Sequence, residues 1–74
     1  MSIDTEIENI QVVRGERIPR PAWARYCLID NGTLSFYQAR PNIPGVREIE
    51  ESSKFICFPE YEPGKPGVMR QVNA

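Results

Sequence analysis

Histidine is missing from this chain of 74 residues. Histidine is the commonest general base and metal ligand in proteins, so its absence excludes Ser-His and Cys-His nucleophiles and the usual physiological pH switch. Carboxylate pairs remain, but acids occur on any surface, and so short a chain leaves little room for an enclosed pocket. We therefore expect a protein without enzymatic activity, catalytic residues, metal or cofactor.

Cysteine is scarce, with Cys27 in RYCLI and Cys57 in FICFP. The two do not have the C-x-x-C spacing of a zinc site or a redox pair. Because both lie in apolar runs, we expect small buried residues with free thiols. A disulfide between neighbouring strands is the alternative, although it would be unusual in a reducing cytosol.

Long hydrophobic runs are also missing. The longest span three or four residues, which is too short to cross a bilayer. The first residues, MSIDTEIEN, are acidic and lack the apolar core of a signal peptide. These features predict a cytoplasmic protein with no membrane partner.

The basic excess of most nucleic-acid-binding proteins is absent too, because the formal net charge is −1. A hydrophobic share of 41% is ordinary for a globular chain. A core of this size supplies only roughly 3–5 kcal/mol. We expect residues 1–74 to form a single small domain, with residues 1–6 as a candidate mobile N-terminus and residues 59–74 as a Pro/Gly-rich C-terminal segment.

A strong hairpin signal stands out among the features that the chain does contain. In WARYCLIDNGTLSFYQAR, two apolar, aromatic-rich runs flank the pair Asn31-Gly32. This pair suits a type I′ turn, which needs a positive φ at both central residues. The pattern predicts strands at Ala22–Ile29 and Thr33–Ala39.

The register of this hairpin stays open between two alternatives. A two-residue turn pairs Tyr26 with Tyr37, whereas a three-residue loop over residues 30–32 pairs Tyr26 with Phe36. A shift of one residue turns a strand's side chains to the other face. In both registers Leu34 and Phe36 share the core face and Tyr37 lies opposite it, so we expect Tyr37 to be the exposed aromatic.

Further strands are predicted on either side of the hairpin. Residues 7–14 are rich in β-branched side chains and favour a strand, although Thr5 and Glu8 fit a capping box and leave a helix over residues 3–14 as the alternative. KFICFPEY predicts a strand, VREIEE a short strand or a helical turn, and GVMRQV a short edge strand. The fold class that follows is mainly β: a small antiparallel sheet or partly open barrel of four to five short strands, with at most one short helix and a central Asn31-Gly32 hairpin.

The segment RGERIPRPAWAR, residues 14–25, carries the clearest binding signal. Its two prolines favour polyproline II, which has three residues per turn and would align Arg14, Arg17 and Arg20 along one edge. Trp23 follows, and arginine with tryptophan is typical of interface hot spots. The alternative is a loop that leads into the hairpin, with Trp23 filling the core and the arginines paired with the protein's own acids.

Arginine outnumbers lysine seven to two, and its planar guanidinium suits bidentate recognition of carboxylate and phosphate. The predicted partner-binding residues are Arg14, Arg17, Arg20, Trp23, Arg25 and Tyr37.

These features favour a non-enzymatic protein-binding module. It would be a small accessory regulator or inhibitor, of the type that phages and mobile elements encode, and would act by occupying a surface on a larger host protein or complex. One alternative is a small β-barrel nucleic-acid-binding protein, with Tyr26, Phe36 or Tyr37 stacked on bases and arginines on phosphates. Another is a structural or assembly subunit whose homo-oligomer completes the core.

Overall fold

The structure, a computed structural model, describes residues 8–65 and 67–73. Seven short strands follow one another along the chain: β1 (Asn9–Gln11), β2 (Arg17–Pro19), β3 (Tyr26–Asp30), β4 (Thr33–Tyr37), β5 (Arg47–Glu48), β6 (Phe55–Cys57) and β7 (Arg70–Val72). They form a four-stranded antiparallel sheet in the order β1-β4-β3-β5 and a three-stranded antiparallel sheet in the order β2-β6-β7.

This arrangement confirms the predicted small, mainly β fold, and it divides the strands between two sheets that do not close into a barrel. There are seven described strands rather than four or five, because two short segments that the sequence left irregular or ambiguous, at β2 and β5, pair as strands. None of the described residues is helical. Accordingly, this part of the chain has no helix that is long and apolar enough to cross a membrane.

The hairpin of β3 and β4 has the two-residue turn, so the three-residue alternative is wrong. Tyr26 pairs with Tyr37 in the register, and Asn31 and Gly32 have φ angles of 53° and 85°. Glycine adopts such angles without a steric penalty. A side chain at this position would also force its surroundings to shift, because a Cβ on Gly32 would lie 2.9 Å from the Tyr61 hydroxyl.

Both sheets contribute to one hydrophobic core. Its buried members are Val12, Ile18, Ala24, Cys27, Leu34, Phe36, Ile49, Ile56, Phe58 and Tyr61. As predicted, Leu34 and Phe36 share the core face of β4, and both are 0% exposed. Phe36 therefore has no surface on which a base could stack, and that part of the nucleic-acid hypothesis is wrong.

Several predicted boundaries move by a few residues. The strand predicted from residue 22 begins only at Tyr26, because the Ala24 amide donates to the Pro21 carbonyl at 3.0 Å and closes a turn. Its partner ends at Tyr37 rather than Ala39. In both places a local turn or bend takes the backbone out of the ladder.

Near both ends of the chain, the described residues contain the strands that the sequence predicts. β1 lies within the predicted strand over residues 7–14, while residues 1–7, which include the candidate mobile N-terminus and most of the capping box, lie outside the described residues. β5 and β7 confirm the short strand in VREIEE and the terminal edge strand. Between β6 and β7 the described residues form turns and irregular chain.

Candidate binding faces

The predicted polyproline II arm is a turn followed by a β-strand. The Glu16 amide donates to the Val13 carbonyl at 3.0 Å, and Gly15 has a φ of 76°, so the chain turns at residues 14–15. β2 then pairs with β6. A ladder satisfies backbone groups that polyproline II leaves to water, and its alternation buries Ile18 while residues 17 and 19 face outward. The threefold spacing of the arginines therefore has no structural counterpart.

Arg20 holds two loops together instead of facing a partner. Its guanidinium donates to the carbonyl of Ser53 at 2.7 Å and to that of Glu51 at 2.8 Å, and also to the carbonyl of Ala24. Ala24 and Ser53 are buried residues. Because Nε, Nη1 and Nη2 all donate to backbone carbonyls, Arg20 is a structural residue.

Arg14 and Trp23 also make contacts within the molecule. The exposed Arg14 donates from Nε to the Pro59 carbonyl at 3.3 Å. Trp23 lies in the turn before β3, is half-buried and packs against the core cluster. The structure therefore brings Trp23 to the core rather than to a free anchoring position.

Arg17 belongs to an outward surface that we call the arginine face. Residues directly opposite one another in an antiparallel pair point to the same side of the sheet. The registers of the three-stranded sheet thus define two cross-strand rows that face away from the core, Pro19–Phe55–Val72 and Arg17–Cys57–Arg70.

The arginine face combines exposed cations with an apolar row. The Arg17 guanidinium carbon lies 4.9 Å from the centre of the Phe55 ring. Arg17 and Arg70 are exposed, and neither takes part in the two ion pairs found within residues 8–65 and 67–73. Cys57 lies between them in the register and is buried. This face can therefore offer two guanidinium groups and an apolar centre to an acidic surface.

The outward side of the four-stranded sheet is a second surface, which we call the tyrosine face. At the end of the hairpin away from its turn, Tyr26 and Tyr37 lie opposite each other, both half-buried. The Arg40 guanidinium carbon lies 5.7 Å from the centre of the Tyr26 ring. Glu48 lies opposite Tyr26 on β5. An open depression of about 390 Å³ adjoins these residues and includes Arg25 in its lining.

Two of the predicted partner-binding residues, Arg25 and Tyr37, are neighbours in the structure. The Arg25 amide donates to the Tyr37 carbonyl at 2.9 Å. The Arg25 side chain forms an ion pair with Glu51 at 3.4 Å, in which the two side chains are 52% and 77% exposed. An exposed pair of this kind contributes at most about 1 kcal/mol, so the guanidinium can exchange its partner for another anion.

The polar clasp formed by Gln71 was not anticipated from the sequence. Its Oε1 accepts from the Glu50 amide at 2.6 Å and from the Ser53 hydroxyl at 2.9 Å, and its Nε2 donates to the Glu48 carbonyl at 3.3 Å. The strand alternation of RQV would place Gln71 on the inner side, but only the tertiary pairing shows which groups it meets.

Both cysteines are buried and free, as predicted. The Cys27 thiol donates to the Met69 thioether at 3.3 Å. Burial raises the pKa of Cys27 to about 11, although the positive charge of Arg47 opposes this shift. Cys27 is therefore a neutral thiol at physiological pH. Across the described chain no three Cys, Asp or Glu side chains converge to hold a metal ion.

Comparison of the chain with protein-family models, curated proteins and solved structures found no match. Function is therefore inferred from the surfaces of the molecule itself.

Proposed function

We propose that the chain is a non-enzymatic protein-binding module whose arginine face docks on an acidic surface of a larger protein or complex. The observation that supports this proposal is the pair of cross-strand rows, in which exposed Arg17 and Arg70 lie beside Pro19, Phe55 and Val72. The partner's carboxylates would pair with the two guanidinium groups, which bind carboxylate in a bidentate geometry.

The apolar row supplies the water-excluding centre of the interface. Interface hot spots are well-packed anchors surrounded by contacts that exclude water. Phe55 is half-buried and already covered on one side by Arg17, so little side-chain entropy would be lost when a partner packs on it. A standard interface takes about 800 Å² from each partner, roughly one-sixth of the 5121 Å² surface of this structure. The five accessible residues of the arginine face, that is all of its members except buried Cys57, would form the centre of such a footprint.

The mode of action we propose is occupation of the partner's surface. A small module with a preformed face can regulate or inhibit a larger protein simply by covering a site, without any chemistry of its own. We assign the interaction to the cytoplasm, where the two free thiols would stay reduced. This is the behaviour of a small accessory regulator or inhibitor of the type that phages and mobile elements encode.

The test is capture of proteins from a host lysate by two double variants of equal charge. Arg17→Glu with Arg70→Glu reverses the arginine face, whereas Arg25→Glu with Arg40→Glu reverses the charges beside the tyrosine face. Both change the formal net charge from −1 to about −5, since each reversal adds −2. We expect one or more proteins to bind the wild type and the second variant but not the first.

Thermal unfolding of both variants serves as the control for folding. Loss of the captured protein from both variants alike would mean that overall charge, rather than the arginine face, drives binding. Retention by the Arg17→Glu/Arg70→Glu variant would refute the assignment of this face.

A further inference from the structure

We propose that the tyrosine face is a second and separate binding surface, and that its ligand is single-stranded nucleic acid. Proteins that bind single strands without sequence preference combine aromatic rings, on which bases stack, with cations placed along the backbone. The tyrosine face carries both elements in adjacent positions.

Tyr26 and Tyr37 provide two neighbouring stacking positions. Directly opposed residues in an antiparallel pair have Cβ atoms about 4.5–5.5 Å apart. Both rings are half-buried, so the sheet positions them while part of each stays open to solvent. Two successive bases of an unpaired strand can therefore contact two rings held in a fixed relation. The stacked bases of a duplex do not offer their faces in this way.

The charges near the rings suit a phosphate backbone. Arg40 lies at the Tyr26 ring, and Arg25 lines the adjoining depression together with Tyr26. The negative charge of Glu48 works against these two arginines, because Glu48 lies across from Tyr26 in the register of β5. Arg25 is also paired with Glu51, so these four charges balance. A phosphate would have to take the place of Glu51 on Arg25, and both glutamates set a limit on affinity.

The composition of this face favours a nucleic acid over a protein partner. The arginine face has an apolar row, but the corresponding rows beside the tyrosines consist of polar side chains and Leu28. Leu28 packs close to the backbone at Gly45, where a Cβ would lie 3.5 Å from its Cδ1 atom. The Ser35 hydroxyl donates to the Asn9 side chain at 2.8 Å. The surface at the tyrosines themselves is aromatic and polar, and the aliphatic surface nearby is a separate depression lined by Leu28 and exposed Ile43.

The experiment measures the fluorescence anisotropy of a labelled oligothymidylate of about 12 nucleotides, a length within the site size of small single-strand binders. At low salt, about 50 mM, we expect binding by the wild type, and much weaker binding of a duplex of equal length. Each of Tyr26→Leu and Tyr37→Leu should weaken binding at least about fivefold, since stacking is worth roughly 1–3 kcal/mol per base. Tyr37→Phe should bind like the wild type, because the ring is kept.

The charged residues give two further readouts. Arg40→Gln should reduce the slope of log affinity against log salt by about 0.7, as for the loss of one phosphate contact with a single strand. Glu48→Gln should strengthen binding severalfold, whereas the matched change Glu60→Gln, at an exposed position in the chain after β6, should leave it unchanged. Circular dichroism confirms that each variant is folded.

Absence of binding at low salt, equal binding of the duplex, or a folded Tyr37→Leu variant with unchanged affinity would each overturn this inference. An equal gain in Glu48→Gln and Glu60→Gln would overturn it too, because overall charge would then control binding. The Arg17→Glu/Arg70→Glu variant should lose its protein partner but still bind the oligonucleotide, so the two proposals fail independently.

Discussion

Replacement of Arg20 tests how the structure divides the arginines into structural and surface residues. Arg20→Ala removes three hydrogen bonds from a guanidinium to the carbonyls of Ala24, Glu51 and Ser53. Arg17→Ala, the matched control in the same segment, removes only a cation–π contact with Phe55. Both residues were predicted from the sequence to bind a partner, but the structure gives them different roles.

The expected loss in the free energy of unfolding is severalfold larger for Arg20→Ala than for Arg17→Ala. A hydrogen bond to a charged group contributes about 1.5–3 kcal/mol, and two of the three carbonyls belong to the buried residues Ala24 and Ser53. Water can replace the third at exposed Glu51. With a discount for the partial exposure of Arg20, we expect Arg20→Ala to lower the free energy of unfolding by about 2–4 kcal/mol. The contact of Arg17 at an exposed site is worth about 0.5–1 kcal/mol.

Urea and thermal unfolding, followed by the fluorescence of Trp23, measure both values. At about 4–8 °C per kcal/mol for so small a domain, Arg20→Ala should lower Tm by roughly 10–30 °C and Arg17→Ala by roughly 2–8 °C. Arg20→Lys should recover only part of the loss, because an ammonium group cannot reproduce the planar fork. A loss below about 0.5 kcal/mol in Arg20→Ala, or an equal loss in Arg17→Ala, would refute the structural role of Arg20.

Three further changes address the turn, the clasp and the buried thiol. Gly32→Ala should lower the free energy of unfolding by about 1–2 kcal/mol or more, because φ is positive there and the new Cβ meets the Tyr61 hydroxyl. Tyr61→Phe in the same chain should recover part of that loss. Gln71→Ala should cost about 1–3 kcal/mol in urea unfolding, since the hydroxyl of buried Ser53 and the Glu50 amide lose their common partner. The free energy of unfolding should fall by about 2–3 kcal/mol between pH 9 and pH 11, and Cys27→Ala should remove this part of the pH dependence.

The sign of the pH effect follows from the two states of the thiol. The unfolded thiol loses its proton near pH 9.0, whereas the folded one, with a pKa of about 11, keeps it. Stability from this group is therefore complete below pH 9 and is lost as the pH rises through 11. If the free energy of unfolding of Cys27→Ala fell with pH between 9 and 11 as steeply as that of the wild type, the raised pKa of Cys27 would be contradicted. Unchanged stability in Gly32→Ala or Gln71→Ala would likewise contradict the close approach at the turn or the role of the clasp.

The parts of the fold that could be predicted are those set by local sequence. Asn31-Gly32 fixes the hairpin within a few residues, and the alternation of its second strand places Phe36 inside and Tyr37 outside. By contrast, β2 becomes a strand only because β6, 38 residues later, pairs with it. Pro19 has the same local preference in a polyproline II arm and at a sheet edge, so tertiary pairing decides between the two.

The candidate faces were harder to predict than the strands, because a face is made of several strands. Phe55 and Arg70 were not predicted as binding residues, yet they join Arg17 once β2, β6 and β7 are placed side by side. Arg20 lies only three positions after Arg17 in the sequence. It has a structural role because its guanidinium donates to carbonyls of the loop at residues 51–53. Such contacts depend on distant segments that local patterns do not specify.

The two faces have different consequences for what the chain can do. Both sheets contribute residues to the common core, and the arginine face and the tyrosine face lie on different sheets. Under the proposals made above, the chain could hold an acidic protein on the three-stranded sheet and a single strand on the four-stranded sheet. The charge-matched double variants separate the two contributions.

The most direct test of the central claim is a cross-saturation NMR measurement on the isotope-labelled chain of 8.5 kDa, bound to the purified protein that the wild type captures. Saturation transferred from the partner should reach the amides of β2, β6 and β7, with the largest losses of signal at Arg17, Phe55 and Arg70. Losses concentrated on β1, β3 and β4 would contradict the assignment of the arginine face as the docking surface.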